Sequence, residues 1–170
     1  HSALGANTTG ANNTAVGAYA LDANTTADGN TAIGYEALTD NTTGANNVAV
    51  GDRALDDNTT GENNTAVGQH ALGAVSSSSY NTAVGQGTLY NNTAAKNTAV
   101  GNHCMLTNTT GTENTAFGAD ALKMNTTGMT QGTQKCAHQL KDQTVFVVST
   151  NGLTPSSGHG GDTVIDNKDN

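Results

Sequence analysis

Short apolar runs recur along this chain at a constant distance, and polar turns rich in Asn, Thr and Gly separate them. A five-residue core, N-T-A-V-G or a close variant, starts at Asn13, Asn30, Asn47, Asn64, Asn81, Asn97 and Asn114. Successive starts are 17 residues apart, except for one step of 16 between Asn81 and Asn97. A fixed internal period indicates a repeat architecture in which each copy packs on its neighbours.

Two further markers keep the same step. The first is an apolar position, usually preceded by Ala, at Leu4, Leu21, Leu38, Leu55, Leu72, Leu89, Met105 and Leu122. The second is N-T-T-G or a relative, at Asn7, Asn24, Asn41, Asn58, Asn108 and Asn125, which the fifth copy replaces with VSSSSY and the sixth with the shorter NNTAAK. The array therefore covers residues 1 to about 128, and residues 129–170 form a C-terminal tail. His1 enters the pattern partway through a copy, which predicts a processed product or a fragment.

The length of the repeat limits the fold. Two-helix repeats need about 30 residues or more, so a helical solenoid does not fit. The Gly of every core, the Asn-Thr pairs and the β-branched residues favour short strands and tight turns. The sequence predicts an all-β parallel β-solenoid, of the β-roll or β-helix type, with about eight 17-residue coils and a short β-containing tail. With parallel strands about 4.8 Å apart, the rod would be roughly 35 to 40 Å long.

Alternation within the core strand predicts two faces. Thr14 and Val16 share one face, and Ala15 lies on the other with the flanking Asn and Gly. The Ala position never varies, which indicates either the narrow inside of a coil or a close contact between chains. The Val position admits Ile33 and Phe117, so its surroundings tolerate more volume. If one coil cannot bury both the Val and the Leu columns, the Val column becomes a surface for other chains; the sequence permits both arrangements.

The invariant Asn and Gly of the core have their own predicted roles. Stacked Asn side chains can form a hydrogen-bonded ladder that satisfies turn amides and carbonyls along the rod. This coil ladder would contain Asn13, Asn30, Asn47, Asn64, Asn81, Asn97 and Asn114. Gly17 and its equivalents are expected where a side chain would clash or where φ must be positive.

Composition narrows the function classes. Only 34% of the residues are hydrophobic, which is close to a disordered composition, so order must come from the stacking of identical copies. The formal net charge of −8 argues against a nucleic-acid partner. No apolar run is long enough to span a membrane. We find no carboxylate pair, nucleophile triad or phosphate loop in a convincing context, so we expect no catalytic residues, no cofactor and no enzyme activity.

The core sequences carry a resemblance. NTAVGAYAL, NTAIGYEAL and NVAVGDRAL are similar to the head repeats of YadA-like trimeric autotransporter adhesins and to repeats of phage and bacterial tail-fibre-like proteins. The resemblance covers residues 1 to about 128, although the usual coil of that family has about fourteen residues. It implies a left-handed parallel β-roll that trimerises. The coiled-coil stalk and membrane anchor of that family are not found in this sequence.

Nine N-x-[ST] sequons occur in the array, at Asn7, Asn12, Asn24, Asn41, Asn58, Asn63, Asn91, Asn108 and Asn125. One interpretation is that Asn and Thr are turn and ladder residues, and that the sequons follow from that composition. The other is a glycan sleeve on turns that project from the rod. The second interpretation predicts that Asn24, Asn41, Asn58, Asn108 and Asn125 are the most exposed Asn of their coils.

The stacked Thr residues also suggest ice binding as a function, because a regular Thr array on a β-solenoid is the known basis of that activity. Adjacent Thr residues in an N-T-T turn point apart, whereas T-x-T would place two Thr on one face. The irregular fifth and sixth copies are expected to interrupt a flat array. An ice-binding or glycan-binding module therefore stays the alternative to a fibre protein.

The two cysteines, Cys104 and Cys136, predict a disulfide that docks the tail onto the array. No Cys or His residues have the spacing of metal ligands, so no metal site is predicted. The strongest apolar β-segment is QTVFVVST at 143–150, with Val145, Phe146, Val147 and Val148 at its centre. It must be covered, either as a cap on its own last coil or by pairing with the first coil of another subunit.

These patterns together predict a non-enzymatic structural or adhesive fibre protein, located outside the cell or on its surface. Its expected partner is itself, in a head-to-tail filament or a trimeric shaft, with a surface or glycan ligand as a further partner. The head-to-tail model expects the 143–150 segment to be buried against Leu4 and Val16 of a neighbouring chain.

Overall fold

Every core forms a strand of three residues. A computed structural model of the chain describes residues 2–126 and the backbone of two later strands, Cys136–Gln139 and Val145–Val148. The core strands are β1 (Thr14–Val16), β2 (Thr31–Ile33), β3 (Val48–Val50), β4 (Thr65–Val67), β5 (Thr82–Val84), β7 (Thr98–Val100) and β9 (Thr115–Phe117). The remaining strands are β6 (Asn91–Asn92), β8 (Thr107–Asn108), β10 (Cys136–Gln139) and β11 (Val145–Val148).

The core strands stack in parallel and in one register. The main sheet has nine strands in the order β1-β2-β3-β4-β5-β7-β9-β10-β11. Like positions pair from coil to coil, as Ala32 does with Ala49. The predicted parallel β-solenoid is confirmed, with six complete turns between β1 and β9.

The 16-residue step does not shift this register, because Thr82 still pairs with Thr98. The missing residue is taken up in the turn that contains Asn91 and Asn92, where β6 and β8 form a separate two-stranded sheet. A deletion in one turn therefore leaves the main sheet continuous.

Small side chains fill the inside of the coil. The Ala at the centre of the core strands is buried from Ala32 to Ala116, and the apolar column is buried from Leu21 to Met105, as is the residue before each of its members. Leu4, Ala15 and Leu122, at the two ends of the array, are partly buried. Ala49, Ala54 and Leu55, for example, are all fully buried in the third coil. Because the coil is narrow, the strand position has room for Ala only, which decides between the two explanations for the invariant column.

Left-handed backbone turns close each coil, and the sequence did not predict them at Leu. In the second coil, Glu36, Leu38 and Asn46 have φ values of 52°, 55° and 58°. This conformation costs an L-residue about 1 to 2 kcal/mol. It is held by the neighbouring coil, since Leu38 N–H donates to the Ala54 carbonyl at 2.9 Å and the Leu38 side chain is fully buried.

Both predicted reasons for the core glycines, a positive φ and the lack of room for a side chain, apply in the structure. Gly68 has a φ of +131°, and a Cβ on it would lie 2.7 Å from the carbonyl carbon of Gly85 in the next coil. No other residue fits this position, because a positive φ and a close backbone approach coincide there.

Candidate functional site

The outward surface of the core strands is a regular surface that runs along the array. We call it the T-A-V face, and it consists of two columns. The first contains Thr14, Thr31, Val48, Thr65, Thr82, Thr98 and Thr115, and the second contains Val16, Ile33, Val50, Val67, Val84, Val100 and Phe117.

Four of the seven side chains in the apolar column of this face are exposed, and Val50, Val84 and Val100 are partly buried. Val16 is 57% exposed, Phe117 52% and Ile33 40%, whereas the Leu column is buried from Leu21 to Met105. Of the two arrangements that the sequence left open, the structure therefore has Leu inside and Val outside. The larger Ile33 and Phe117 are tolerated because nothing in the described chain packs over them.

The invariant Asn of the core forms a side-chain-to-backbone ladder inside the coil. The Asn30 Oδ1 accepts the Asn47 N–H at 2.9 Å, and the Asn30 Nδ2 donates to the Gly44 carbonyl at 2.9 Å. The N–H-to-Oδ1 bond recurs at each step from Asn13 to Asn114. Each side chain thus joins its own coil to the next.

The Asn of the N-T-T turn forms a second, amide-to-amide ladder. The Asn41 Nδ2 donates to Asn24 Oδ1 at 3.2 Å and to the Gly44 carbonyl at 2.9 Å. Equivalent bonds join Asn7 to Asn24, Asn41 to Asn58, Asn92 to Asn108 and Asn108 to Asn125. In the coil that begins at Asn81, the column contains Asn92 rather than Asn91.

This second ladder overturns the prediction of exposed N-T-T turns. Asn24, Asn41, Asn58 and Asn108 are fully buried, because their amides face the inside of the coil. Asn7 and Asn125, at the two ends of the ladder, are partly buried.

The exposed sequon asparagines are instead Asn12, Asn63 and Asn91. Asn12 and Asn63 occupy the left-handed position just before the core, with φ values of 58° and 56°. A glycan on either would leave both Asn ladders intact.

The predicted disulfide is not formed in the structure, where Cys104 is a buried free thiol. Cys104 follows β7, whereas Cys136 opens β10, which is two strands further along the sheet. Two steps of about 4.8 Å exceed the Cα separation that a disulfide spans. Burial raises the pKa of the Cys104 thiol to about 11, so this thiol is unreactive.

The C-terminal strands continue the sheet of their own chain. β10 pairs in parallel with β9, so that Ala137 faces Ala116, and β11 then pairs antiparallel with β10. Val145–Val148 therefore pairs with β10 rather than directly with the last coil. Residues 143, 144, 149 and 150 of the predicted segment lie outside the described residues. The repeat did not predict β10, whose Cys-Ala-His segment shares only the central Ala with the core strands.

A shallow cleft of about 200 Å³ interrupts one side of the rod, between the fourth and sixth coils. It opens because Gly87 has no side chain where the neighbouring coils have His70 and His103, and it is also lined by Gln86, Tyr90 and Leu106. Among the described residues, no group of three or more His, Cys, Asp or Glu is placed to hold a metal ion.

Asp56 lies beside this cleft in a partly buried position. Its burial, with the charge of Asp57 as a smaller cause, raises the pKa of its carboxyl to about 6. The Asp56 Oδ1 and His70 Nδ1 atoms are buried and have no hydrogen-bond partner among the described residues. Tyr90 packs edge-to-face on His70, with 6.0 Å between the ring centroids.

No family model, curated protein or solved structure matches this chain. The resemblance to YadA-like head repeats therefore stays a prediction from the repeat. In the part of the chain that the structure describes, no helix has the length and apolarity to cross a bilayer.

Proposed function

We propose that this chain is a structural or adhesive rod that joins copies of itself end to end into an extracellular fibre. The observation that carries the proposal is that, among the described strands, the sheet begins at β1 and ends at β11 with one edge of each unpaired. An open edge presents free N–H and C=O groups to another strand.

The open edge of β1 can be assigned to particular atoms. Thr14 N–H donates to the Asn30 carbonyl, and the Val16 carbonyl accepts the Gly34 N–H, both at 2.8 Å. In a parallel ladder, alternate residues bond to opposite sides, so the N–H and C=O of Ala15 point away from β2. Ala15 therefore offers the donor and acceptor that a further strand would need.

The direction of β11 determines how such a strand would pair. β11 runs antiparallel to β10, which runs parallel to the coils. If the next subunit keeps the same orientation, its β1 would pair antiparallel with β11. An end-to-opposite-end contact does not close on itself and generates a filament.

The surface chemistry and the repeat support the same function. The low content of charged and aromatic residues and the resemblance to adhesin heads both suit an extracellular rod. The exposed sequons at Asn12, Asn63 and Asn91 would be available for glycans in that location.

Electron microscopy and sedimentation of the full chain test the proposal. We expect filaments of uniform width, which Ala15→Pro shortens because proline has no N–H to donate at the open edge. Deletion of residues 143–170 should give short rods, because it removes β11, the strand with which β1 of the next subunit would pair. Ser77→Pro, in an exposed turn of the fifth copy, is the control and should leave the filaments unchanged. A wild-type chain that stays monomeric, or filaments that survive both changes, would contradict end-to-end assembly.

A further inference from the structure

The T-A-V face has a constant spacing over its whole length. At the start of each strand, the N–H of the first residue donates to the core Asn carbonyl of the next coil. The first of these six bonds joins Thr14 to Asn30 and the last joins Thr98 to Asn114, and each is 2.8 Å long. At the end of each strand, the carbonyl of the last residue accepts the core Gly N–H of the next coil. These six bonds, the first from Gly34 to Val16 and the last from Gly118 to Val100, are 2.7 to 2.8 Å long. The fifth and sixth copies, which interrupt the Thr pairs of the N-T-T turns, leave this face continuous, because Thr82 still pairs with Thr98.

The hydroxyl groups of this face are free, unlike those of the N-T-T turns. Thr42 Oγ1 donates to the Thr59 carbonyl at 3.0 Å, and Thr59 Oγ1 donates to the Ser76 carbonyl at 2.9 Å. By contrast, none of the six Thr hydroxyls of the T-A-V face forms a hydrogen bond to another described residue. They are Thr14, Thr31, Thr65, Thr82, Thr98 and Thr115. Each can therefore both donate to and accept from water.

The size and charge of the face argue against a second protein chain as its occupant. Each three-residue strand is about 10 Å long, and the seven stacked strands span roughly 30 Å along the rod, so the face has an area of about 300 Å². A stable protein interface buries about 800 Å² on each partner. The face also has no charged side chain with which to steer or orient a protein partner.

We propose that the T-A-V face binds the surface of ice. A crystal of water presents hydrogen-bonding groups at a fixed repeat, and a rigid ladder with one repeat can meet many of them at once. The free hydroxyls would hydrogen-bond to lattice water, and the neighbouring Val methyl groups would hold a layer of ordered water against the face. This function is separate from end-to-end assembly, because it uses the side of the rod and not its ends.

The face itself provides loss and gain variants. Thr82 lies at the fifth of the seven rungs, so Thr82→Lys would place a long charged side chain among the hydroxyls. Val48 is the one rung of the first column that lacks a hydroxyl, and Val48→Thr would complete the column. Thr60, the exposed second Thr of an N-T-T turn, provides the matched control Thr60→Lys.

Thermal hysteresis and ice-crystal shaping, measured on the full chain, test the proposal. We expect the wild-type chain to shape ice, Thr82→Lys to lose most of the hysteresis, Val48→Thr to gain, and Thr60→Lys to match the wild type. Circular dichroism would verify that all variants stay folded.

The proposal is overturned if the wild-type chain neither shapes ice nor shows hysteresis, or if Thr60→Lys lowers hysteresis as much as Thr82→Lys. Electron microscopy of Thr82→Lys separates the two functions, because its filaments should persist. If Thr82→Lys forms no filaments and the wild-type chain shows no ice activity, this face is instead a contact between copies of the chain.

Discussion

The amide oxygen of Asn58 has no hydrogen-bond donor, because Val75 occupies the position one coil further on from which an asparagine would donate. Asn24 and Asn41 each accept from the Asn of the next coil, whereas Asn58 Oδ1 is buried without a partner. The ladder resumes only at Asn92, which accepts from Asn108 at 2.7 Å. The step from Asn58 to Val75 is therefore the weakest point of this ladder.

Replacement of that valine should strengthen the rod. In Val75→Asn, the new amide would donate to Asn58 Oδ1, and satisfying a buried acceptor should outweigh the lost methyl contacts. We expect the free energy of unfolding to rise by about 1 kcal/mol in urea denaturation. The control Val75→Ala removes the methyl groups without adding a donor and should lower it by about 2 kcal/mol. An Asn variant less stable than the Ala variant would contradict this account of the ladder.

The core glycines should tolerate no side chain. Gly68→Ala would hold Ala at a φ of +131° with its Cβ 2.7 Å from the Gly85 carbonyl carbon. We expect a loss of about 2 kcal/mol or more in the free energy of unfolding. Gly29→Asn is the contrast, since equivalent coils already have Asn12, Asn46 or Asn63 at this left-handed position. Thermal unfolding should show little change for Gly29→Asn; equal losses in both variants would argue against the close approach of the backbones.

Asp56 should make stability depend on pH. Its pKa is raised to about 6 in the folded chain, from a usual value of 3.8, so folding favours the protonated carboxyl. The stabilisation is complete below about pH 4 and is lost as the pH rises through about 6. Asp56→Asn should therefore raise the melting temperature at pH 8 and have little effect at pH 4. A melting temperature of Asp56→Asn that differs from wild type equally at both pH values would contradict the assignment.

Glycosylation, if the chain is made in a host that modifies sequons, should follow exposure in the coil. We expect glycans at Asn12, Asn63 and Asn91, whose side chains are exposed. The buried Asn24, Asn41, Asn58 and Asn108 should be unmodified in folded protein, because a sugar would break the amide ladder. Site mapping by mass spectrometry distinguishes the groups, and occupied Asn41 or Asn58 would show that modification precedes coil formation.

The repeat in the sequence determined the architecture. A 17-residue period with a β-branched core is too short for helices and can bury apolar groups only by stacking on itself, so it predicted parallel coils and an Asn ladder. Identical positions one coil apart must meet in any such stack, which is why local alternation was sufficient for these features.

The tertiary structure decided which of the remaining columns lie inside the coil. Sequence alternation placed Thr14 and Val16 on one face but did not fix whether that face was buried together with the Leu column or faced outward. It also treated Asn24 as a projecting turn residue. The closed coil has room for Leu21 and Asn24 only because Tyr19 and Leu21 adopt left-handed φ values of 60° and 55°. Those values are unfavourable for an isolated residue and are stabilised by contacts between coils, as where the buried Leu21 donates its N–H to the Ala37 carbonyl at 3.0 Å. Local sequence preferences therefore could not reveal them, and the outward direction of the T-A-V face follows from the closure of the whole coil.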